Sequence, residues 1–218
     1  MASPFDQSTY QVRFEWGPGG LARLAPADVV VVVDVLRFSS TVPDAVASGT
    51  VVALADALEW SSNGAAVAAS AGDAVVLVGG LRNAAAVARA VQTVQERRQA
   101  RTSVAVIAAG EKAADGTVRF AVEDQLGAGA VIAALTDLGI DHTAPDAAVT
   151  AEGFRALKGA LRHLLSASGS ARELEIGVAS TARMAASGIV PASVAEAAAL
   201  DATDVVPMLR DGVFVPFA

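Results

Sequence analysis

Five consecutive valines, Val29–Val33, constrain the fold of this chain more than any other segment. An uninterrupted β-branched run is typical of a strand that is buried on both faces of a sheet. Asp34 follows the run directly, and a buried carboxylate is unfavourable unless donors or a cation meet it. Arg37 comes next, and the hydroxyls that follow it belong to Ser39, Ser40 and Thr41. A buried strand that ends in an acid, a base and hydroxyls predicts the edge of a phosphate or metal site.

Composition narrows the class of protein. The 218 residues are 53% hydrophobic and 18% charged, as in a well-packed globular protein. The longest apolar runs, such as residues 126–135, fall far short of the ~20 residues that span a bilayer. A net charge of −7 argues against nucleic acid or an anionic membrane as partner. Without cysteine or a secretory leader, we expect a cytoplasmic protein with no disulfide and no thiolate metal site.

Strand-like and helix-like segments alternate along the chain. The predicted strands cover residues 28–35, 50–55, 74–78 and 104–108, and the predicted helices cover residues 41–48, 64–71, 84–98 and 122–138. Residues 111–120 are predicted to form a polar segment outside the strand–helix alternation, with a turn at Asp115-Gly116. The last third reads as helical from residue 151 to about 199, with breaks at Gly169, Gly177 and Gly188, before a hairpin of residues 204–210 and 213–217 around Asp211-Gly212.

This alternation predicts a three-layer αβα fold with a mainly parallel central sheet, a helical last third and a terminal hairpin. We expect one domain over residues 1–218, because no linker-like stretch interrupts the pattern.

Polar side chains follow each of the four predicted strands. In open α/β sheets, ligands bind beyond the carboxyl ends of the strands, so these clusters are expected to meet. The clusters are Asp34 with Arg37, Ser39 and Ser40; Asn63 with Gly64; Arg82 with Asn83; and Glu111 with Lys112.

Each cluster also has a purely structural interpretation. Asp34 is either a buried partner of Arg37 or a Mg²⁺ ligand or nucleophile. Serine and asparagine before a helix are more often caps than ligand-binding groups. This applies to Ser39, Ser40, Asn63 and Asn83.

Glu123 and Asp124 begin a predicted helix, where the helix dipole favours negative charge. Gly127 and Gly129 follow them and are unfavourable in a helix interior, so we expect this helix to lie close to the sheet or to another backbone.

The available ligands favour magnesium over zinc. The chain has no cysteine, and its only histidines, His142 and His163, lie in the last third without a recognisable context. Carboxylates together with a phosphate-bearing substrate suit Mg²⁺, which usually binds one or two protein carboxylates and retains several waters.

Several motifs together resemble the 2-phosphosulfolactate phosphatase family. The Asp-Val-Leu-Arg and hydroxyls of residues 33–41 resemble the family's first motif, and residues 61–64 resemble its hydroxyl-hydroxyl-Asn-Gly turn. Further similar segments are residues 13–17, 81–88, 107–111 and 122–130, and residues 204–214 show a weaker similarity. Lys112 stands where relatives often carry arginine. The resemblance covers most of residues 10–135.

The family resemblance implies a Mg²⁺-dependent enzyme of coenzyme M biosynthesis that hydrolyses a phosphate ester of sulfolactate. Asp34, Glu111, Glu123 and Asp124 are the expected metal ligands, and Asp34, Arg37 and Glu111 are the expected catalytic residues. The residues expected to contact the substrate are Ser39, Ser40, Asn63, Gly64, Arg82, Asn83 and Lys112.

One segment departs from the family. Between the predicted strand of residues 50–55 and Asn63, relatives carry a longer stretch with a Gly-Glu-Arg turn and an Asn-Ser-Pro, where this chain has only residues 56–60. The missing residues would lie over the site.

Two alternatives to the phosphatase stay open at this point. One is a catalytically silent anion-binding protein of the same fold. The other is a nucleotide-binding domain, which is less favoured because neither a Gly-x-Gly-x-x-Gly motif nor a P-loop is present. The expected partner is a small anionic phosphate ester, with neither nucleic acid nor a membrane involved, and a homodimer is also compatible with the sequence.

Overall fold

A computed structural model of the protein describes residues 3–218. The strands are β1 Val12–Trp16, β2 Val29–Val33, β3 Val52–Ala53, β4 Val75–Val78, β5 Val104–Ala108, β6 Glu111–Lys112, β7 Val118–Arg119, β8 Pro207–Arg210 and β9 Val213–Pro216. The α-helices are α1 Gly17–Arg23, α2 Phe38–Ala47, α3 Leu54–Trp60, α4 Gly64–Ala69, α5 Ala84–Arg98, α6 Val122–Asp137, α7 Pro145–Leu157, α8 Leu161–Ser166, α9 Gly169–Ile176, α10 Ala179–Ala186 and α11 Val194–Ala197. None of the helices in this range is long and apolar enough to cross a bilayer.

The central sheet has seven strands in the order β1-β5-β2-β4-β8-β9-β3. The first four are mutually parallel, and β8, β9 and β3 continue the sheet as antiparallel neighbours. Strands β6 and β7 form a separate small hairpin. The predicted mainly parallel sheet, helical last third and terminal hairpin are therefore confirmed.

The valine run lies at the centre of this sheet, between β5 and β4. All five valines are buried, and they alternate between two hydrophobic clusters. Val29, Val31 and Val33 pack on the side covered by α5 and α6, whereas Val30 and Val32 pack on the side covered by α2 and α4. A strand with a helical layer on each face has no solvent-facing side, which is why it contains no polar alternation.

The helix α6 approaches its neighbours as closely as its glycines predict. A Cβ on Gly127 would meet the Val35 side chain at 2.5 Å, and one on Gly129 would meet the carbonyl oxygen of Thr150, in α7, at 2.5 Å. Both distances are far inside van der Waals contact. The expectation of a helix lying against the sheet and another backbone is confirmed, and α6 is thereby fixed beside the end of β2.

Three predicted segments differ from the structure. The strand predicted at residues 50–55 is only Val52–Ala53, and the following Leu-Ala-Asp-Ala-Leu-Glu-Trp is the helix α3, in keeping with its strong helix formers. The helical last third begins at Pro145 rather than at residue 151, because proline fits the first turn of a helix. Gly169 begins α9 instead of ending a helix, with Ser168 as its N-cap.

The first strand and helix, β1 and α1, are absent from the sequence prediction. The strand β1 was not predicted because its charged side chains, Arg13 above all, interrupt the apolar pattern. Arg13 is nevertheless buried, since its guanidinium donates hydrogen bonds to the carbonyl oxygens of Tyr10, Ala25 and Pro26.

Substitution of Gly129 tests the close packing of α6. We expect Gly129→Ala to lower the free energy of unfolding by about 1–3 kcal/mol, because its Cβ would collide with the backbone of α7. Gly153→Ala is the matched control, since a Cβ at that position of α7 meets no atom within 4 Å. It should be neutral or stabilise by up to about 1 kcal/mol, as alanine favours the helix. Urea unfolding of the three proteins measures both effects, and equal stability of Gly129→Ala and wild type would contradict the packing.

Candidate functional site

A cavity of about 110 Å³ lies at the carboxyl end of β2. Asp34, Arg37 and Phe38 line it from the segment that connects β2 to α2. Ser61, Ser62 and Asn63 line it from the turn between α3 and α4, and Glu111 lines it from β6. The polar groups that follow two parallel strands, β2 and β5, therefore meet at one point, as the sheet topology requires.

Asp34 is buried at the bottom of this site. Its Oδ2 accepts a hydrogen bond from the backbone N–H of Gly64 at 2.8 Å, and the Ser61 hydroxyl lies 3.5 Å from the same oxygen. Its Oδ1 has only a long contact of 3.5 Å with the N–H of Phe38. Burial, together with the negative charges of Glu111 and Glu123, raises the pKa of Asp34 to about 6, although the hydrogen bonds from the Gly64 and Phe38 N–H groups oppose the shift. Oδ1 is therefore the carboxylate oxygen with more capacity for a ligand.

The close approach of Gly64 to Asp34 depends on the absence of a side chain. A Cβ at this position would lie 2.7 Å from Oδ2 of Asp34 and 2.8 Å from the Phe38 ring. The Asn-Gly dipeptide predicted as a turn thus has a specific use, since only glycine lets this N–H reach the carboxylate.

The predicted ion pair between Asp34 and Arg37 is not formed. The Arg37 guanidinium instead donates through Nη2 to the Thr181 hydroxyl of α10. Burial lowers the pKa of Arg37 below its usual value, and the nearby Asp34 carboxylate opposes that shift. Arg37 still lines the cavity, so its charge faces the same space as Asp34.

Glu111 is half-buried at the cavity wall. Burial raises its pKa, and the charge of Glu173 on α9 raises it further. Among residues 3–218, neither Asp34 nor Glu111 forms an ion pair with a cationic side chain. The cavity is thus lined by three carboxylates, from Asp34, Glu111 and Glu173, and within residues 3–218 Arg37 is the one cationic side chain among its lining residues.

Asp124 and Glu123 are buried beside the cavity but are not among the residues that line it. The two oxygens of Asp124 accept hydrogen bonds from the N–H groups of Val35 at 2.7 Å and Gly110 at 2.8 Å. Burial raises the pKa of Asp124 well above its usual value, and the charges of Asp34 and Glu123 add to this. Glu123 accepts a hydrogen bond from the Ser170 hydroxyl of α9. Asp124 therefore ties together the segments that follow β2 and β5.

The serines predicted to contact the substrate hold the turn after β2. The Ser39 hydroxyl accepts a hydrogen bond from the N–H of Asp34 at 3.1 Å, and the Ser40 hydroxyl donates to the carbonyl oxygen of Val35 at 2.7 Å. Neither lines the cavity.

The other predicted substrate contacts that do not line the cavity are Gly64, Arg82, Asn83 and Lys112. Arg82 donates to the Ser40 carbonyl oxygen and to Asp44, while Lys112 faces a separate surface groove. Neither Asn83 nor Asn63 caps its helix by its side chain, although both were expected to. The Asn83 amide instead joins the end of β4 to Val205. The substrate-binding roles of these residues stay predictions.

The segment that covers the cavity was not predicted from the sequence. Six residues of α9, α10 and the turn between them line it: Ser170, Glu173, Leu174, Val178, Ser180 and Met184. An alanine-rich segment without a polar cluster at a strand end gives no sequence signal for such a role.

The carboxylates that line the cavity fit a divalent cation that prefers oxygen ligands and needs few of them from the protein. Among residues 3–218, no three acidic or histidine side chains converge closely enough to hold one ion. Three carboxylates, from Asp34, Glu111 and Glu173, line the cavity, and Mg²⁺ commonly binds one or two carboxylates and fills its remaining positions with water. The four predicted metal ligands are thus near one another, but they do not form a single four-carboxylate cage.

The fold and the site together define an α/β protein with an acidic cavity at the carboxyl ends of its parallel strands. A comparison with protein families finds a match over residues 58–212 to the model for 2-phosphosulpholactate phosphatase. The chain therefore belongs to the 2-phosphosulpholactate phosphatase family, whose activity is that of a phosphoric monoester hydrolase. The matched region includes Asn63, Gly64 and Glu111, and begins after Asp34 and Arg37. No curated protein matches the chain.

The raised pKa of Asp34 makes a prediction about stability. Because its folded-state pKa of about 6 lies above its usual value of 3.8, the fold is favoured by protonation of this carboxyl. That contribution is complete below about pH 3.8 and is lost as the pH rises through about 6. We therefore expect Asp34→Asn to stabilise the metal-free protein at about pH 8, by at most about 3 kcal/mol.

The gain should shrink on acidification and vanish at about pH 4. Urea unfolding in EDTA at both pH values measures it. Asp73→Asn, at an exposed position, is the control and should change stability at neither pH. An Asp34→Asn gain that persists undiminished at about pH 4 would contradict the assignment.

Proposed function

We propose that this protein is a Mg²⁺-dependent phosphatase that hydrolyses 2-phosphosulfolactate to sulfolactate and phosphate. The observation that supports it most directly is the cavity at the end of β2, where Asp34 and Glu111 lie beside Arg37 and form no ion pair with the described residues. Family membership supplies the substrate in this proposal. A place in coenzyme M biosynthesis is an expectation that follows from the same substrate.

The site residues match what phosphoryl transfer requires. This chemistry depends mainly on positioning and on neutralising the charge of the phosphoryl oxygens, so a site without histidine is adequate. Arg37 carries a permanent positive charge. Its guanidinium can exchange the hydrogen bond to the Thr181 hydroxyl for one to an anionic oxygen of the substrate. Ser62 and Asn63 provide neutral hydrogen-bonding groups at the cavity wall. A bound Mg²⁺, held by Asp34 and Glu111, would add its positive charge to that of Arg37.

In the proposed hydrolysis a bond forms between a water oxygen and phosphorus, and the bond from phosphorus to the ester oxygen breaks. The ester oxygen leaves with a proton as the alcohol of sulfolactate. We assign Asp34 to the attacking side. As a base it takes the proton of the attacking water; as a nucleophile its carboxylate oxygen bonds to phosphorus while the ester oxygen leaves, and water then breaks that bond to release phosphate and the free carboxylate. Its Oδ2 is engaged by Gly64, so its Oδ1 is the oxygen we assign to this step.

Replacement of Asp34 tests the catalytic assignment. We expect Asp34→Asn to reduce phosphate release from 2-phosphosulfolactate by at least about a thousandfold, because the amide is neither nucleophile nor base. Asp73→Asn is again the control, because it removes an exposed carboxylate outside the cavity. Phosphate release by the purified proteins in Mg²⁺ measures the effect. Undiminished hydrolysis by Asp34→Asn would contradict the site, even if the activity itself were correct.

Removal of Glu111 tests the metal site without relying on activity. We expect Mg²⁺ to raise the melting temperature of the wild-type protein, because it relieves repulsion among buried carboxylates. Glu111→Gln should weaken Mg²⁺ binding about tenfold or more, whereas Asp115→Asn, on the exposed β6–β7 turn, should not. Thermal unfolding over a Mg²⁺ titration gives both constants. An identical Mg²⁺ response in wild type and Glu111→Gln would contradict this ligand assignment.

Calorimetry separates the phosphatase from the silent binding protein. Binding of 2-phosphosulfolactate without phosphate release, with and without Mg²⁺, would support the silent form. Turnover supports the phosphatase.

A further inference from the structure

The hairpin of β6 and β7 carries Glu111, yet within the described residues it has no hydrogen bond to the rest of the protein. Its two strands pair only with each other. Every other hydrogen bond of residues 111–120 in the described structure also stays within this segment. Directly before the hairpin, the N–H of Gly110 donates to Asp124 at 2.8 Å. Hydrogen bonds therefore fix the point where the hairpin begins, but not the position of its two strands.

Val118 of β7 packs the hairpin against two glycines of the protein body. A Cβ on Gly17 would lie 2.6 Å from Cγ2 of Val118, and a Cβ on Gly110 would lie 2.6 Å from its Cγ1. Each γ-methyl group therefore occupies the space that a side chain on the facing residue would need. Gly17 begins α1, and Gly110 lies just after β5. One valine thus joins the hairpin to two elements of the body, and its remaining surface, 40% of the residue, faces the adjacent groove.

Phe120 gives the segment a second contact, which is more exposed. Its ring centroid lies 5.2 Å from that of Trp16, and 60% of the residue is accessible to solvent. The Phe120 ring rests on the outer face of one side chain, whereas Val118 is inserted against two stretches of backbone. We therefore assign the attachment of the hairpin mainly to Val118.

This attachment acts on Glu111 through the pairing of the two strands. Arg119 directly follows Val118 and is the partner of Glu111 in the register of β6 and β7. A shift of β7 against Gly17 would therefore move β6, and with it the carboxylate that lines the cavity. Ligands of a site must be held within about 0.5 Å of their productive positions, so a loose hairpin would weaken binding of a cation that Glu111 shares with Asp34.

We propose that Val118 is a positioning residue that holds Glu111 at the cavity and thereby determines the affinity for Mg²⁺, although Val118 itself does not line the cavity. The inference rests on the proposed function and adds to it the residue that fixes one of the two metal ligands.

Val118→Ala is the direct test, because it removes both γ-methyl groups. We expect it to weaken Mg²⁺ binding about threefold or more, since Glu111 is then held less precisely. Val118→Ile keeps both γ-carbons and should bind Mg²⁺ like the wild type. Val51→Ala is the matched control, because it removes the same atoms from a valine that is 74% exposed and lies outside the cavity and the hairpin.

Thermal unfolding over a Mg²⁺ titration gives the binding constants, and the melting temperatures without metal verify that each variant is folded. Wild-type Mg²⁺ affinity in Val118→Ala would overturn the inference.

A double-mutant cycle shows whether Val118 acts through Glu111. If it does, Val118→Ala weakens Mg²⁺ binding in the wild-type background but has no further effect on the binding that remains in Glu111→Gln. An equal loss in both backgrounds would overturn the inference, because Val118 would then act on the cavity as a whole rather than on this ligand.

A measurement without metal separates the role of Val118 from the phosphatase activity. The chain has no cysteine, so a fluorescent label on Ala114→Cys, in the exposed turn of the hairpin, reports on this segment alone. In EDTA we expect Val118→Ala to lower the anisotropy of the label and Val118→Ile to leave it unchanged. That result in a protein that releases no phosphate from 2-phosphosulfolactate would support the attachment by Val118 and refute the phosphatase. Phosphate release, with neither anisotropy nor Mg²⁺ affinity altered in Val118→Ala, would do the opposite.

Discussion

The hydrogen bond from the Gly64 N–H to the buried Asp34 carboxylate is the contact on which the rest of the site depends. Asp34 directly follows the central strand of the sheet, is buried, and forms no ion pair with a cationic side chain of the described residues. A charge in this position needs backbone donors, and they can come only from a chain segment that approaches very closely. Gly64 at the start of α4 provides that approach, and it brings the turn with Ser62 and Asn63 to the cavity.

A comparison of Asp34 with Asp124 shows how one fold gives two buried carboxylates different uses. Both oxygens of Asp124 are held by short hydrogen bonds from backbone N–H groups, and it contacts the segments after β2 and β5. Asp34 has one short hydrogen bond, and its other oxygen has only a long one. Both oxygens of Asp124 are therefore used to hold the backbone, whereas Asp34 has one oxygen that can still bind a ligand. Sequence cannot make this distinction, because both residues read as acids beside the ends of strands.

Elements with strong local signals were predictable from the sequence, and so was the point where they converge. The bounds of β5 and α5 agree with the structure, because an apolar run and a periodic helix end at clear signals. Asp34, Arg37 and Glu111 line one cavity because β2 and β5 are parallel and their carboxyl ends share an edge. Asn63 reaches the same cavity from the turn between α3 and α4, since the strand before it, β3, runs antiparallel to β2. The hydroxyls of Ser39 and Ser40 fell outside it, since the tight turn after β2 uses them for its own backbone.

The residues that could not be predicted are those brought in by tertiary packing. Arg13 of β1 looks like a surface residue until the four carbonyl oxygens around it are seen. The α9–α10 segment likewise carries no motif, and only its packing over the cavity gives Ser180 and Met184 their positions. Short helices of small residues gain most of their position from neighbours rather than from their own propensity, so their sequence gives little information about where they lie.

Charge imposes a further condition on any function of this cavity. Asp34, Glu111 and Glu173 line it, and among residues 3–218 Arg37 is the one cationic side chain that does so. A phosphate ester with additional acidic groups would meet repulsion from these carboxylates in a molecule whose net charge is already −7. Protonation relieves part of this, since the pKa values of Asp34 and Glu111 are raised, but it also removes the carboxylate that the chemistry needs. A divalent cation resolves the conflict because it neutralises carboxylates and phosphate together and leaves Asp34 ionised. This electrostatic argument, rather than the number of converging ligands, is the physical basis for including Mg²⁺ in the proposed function.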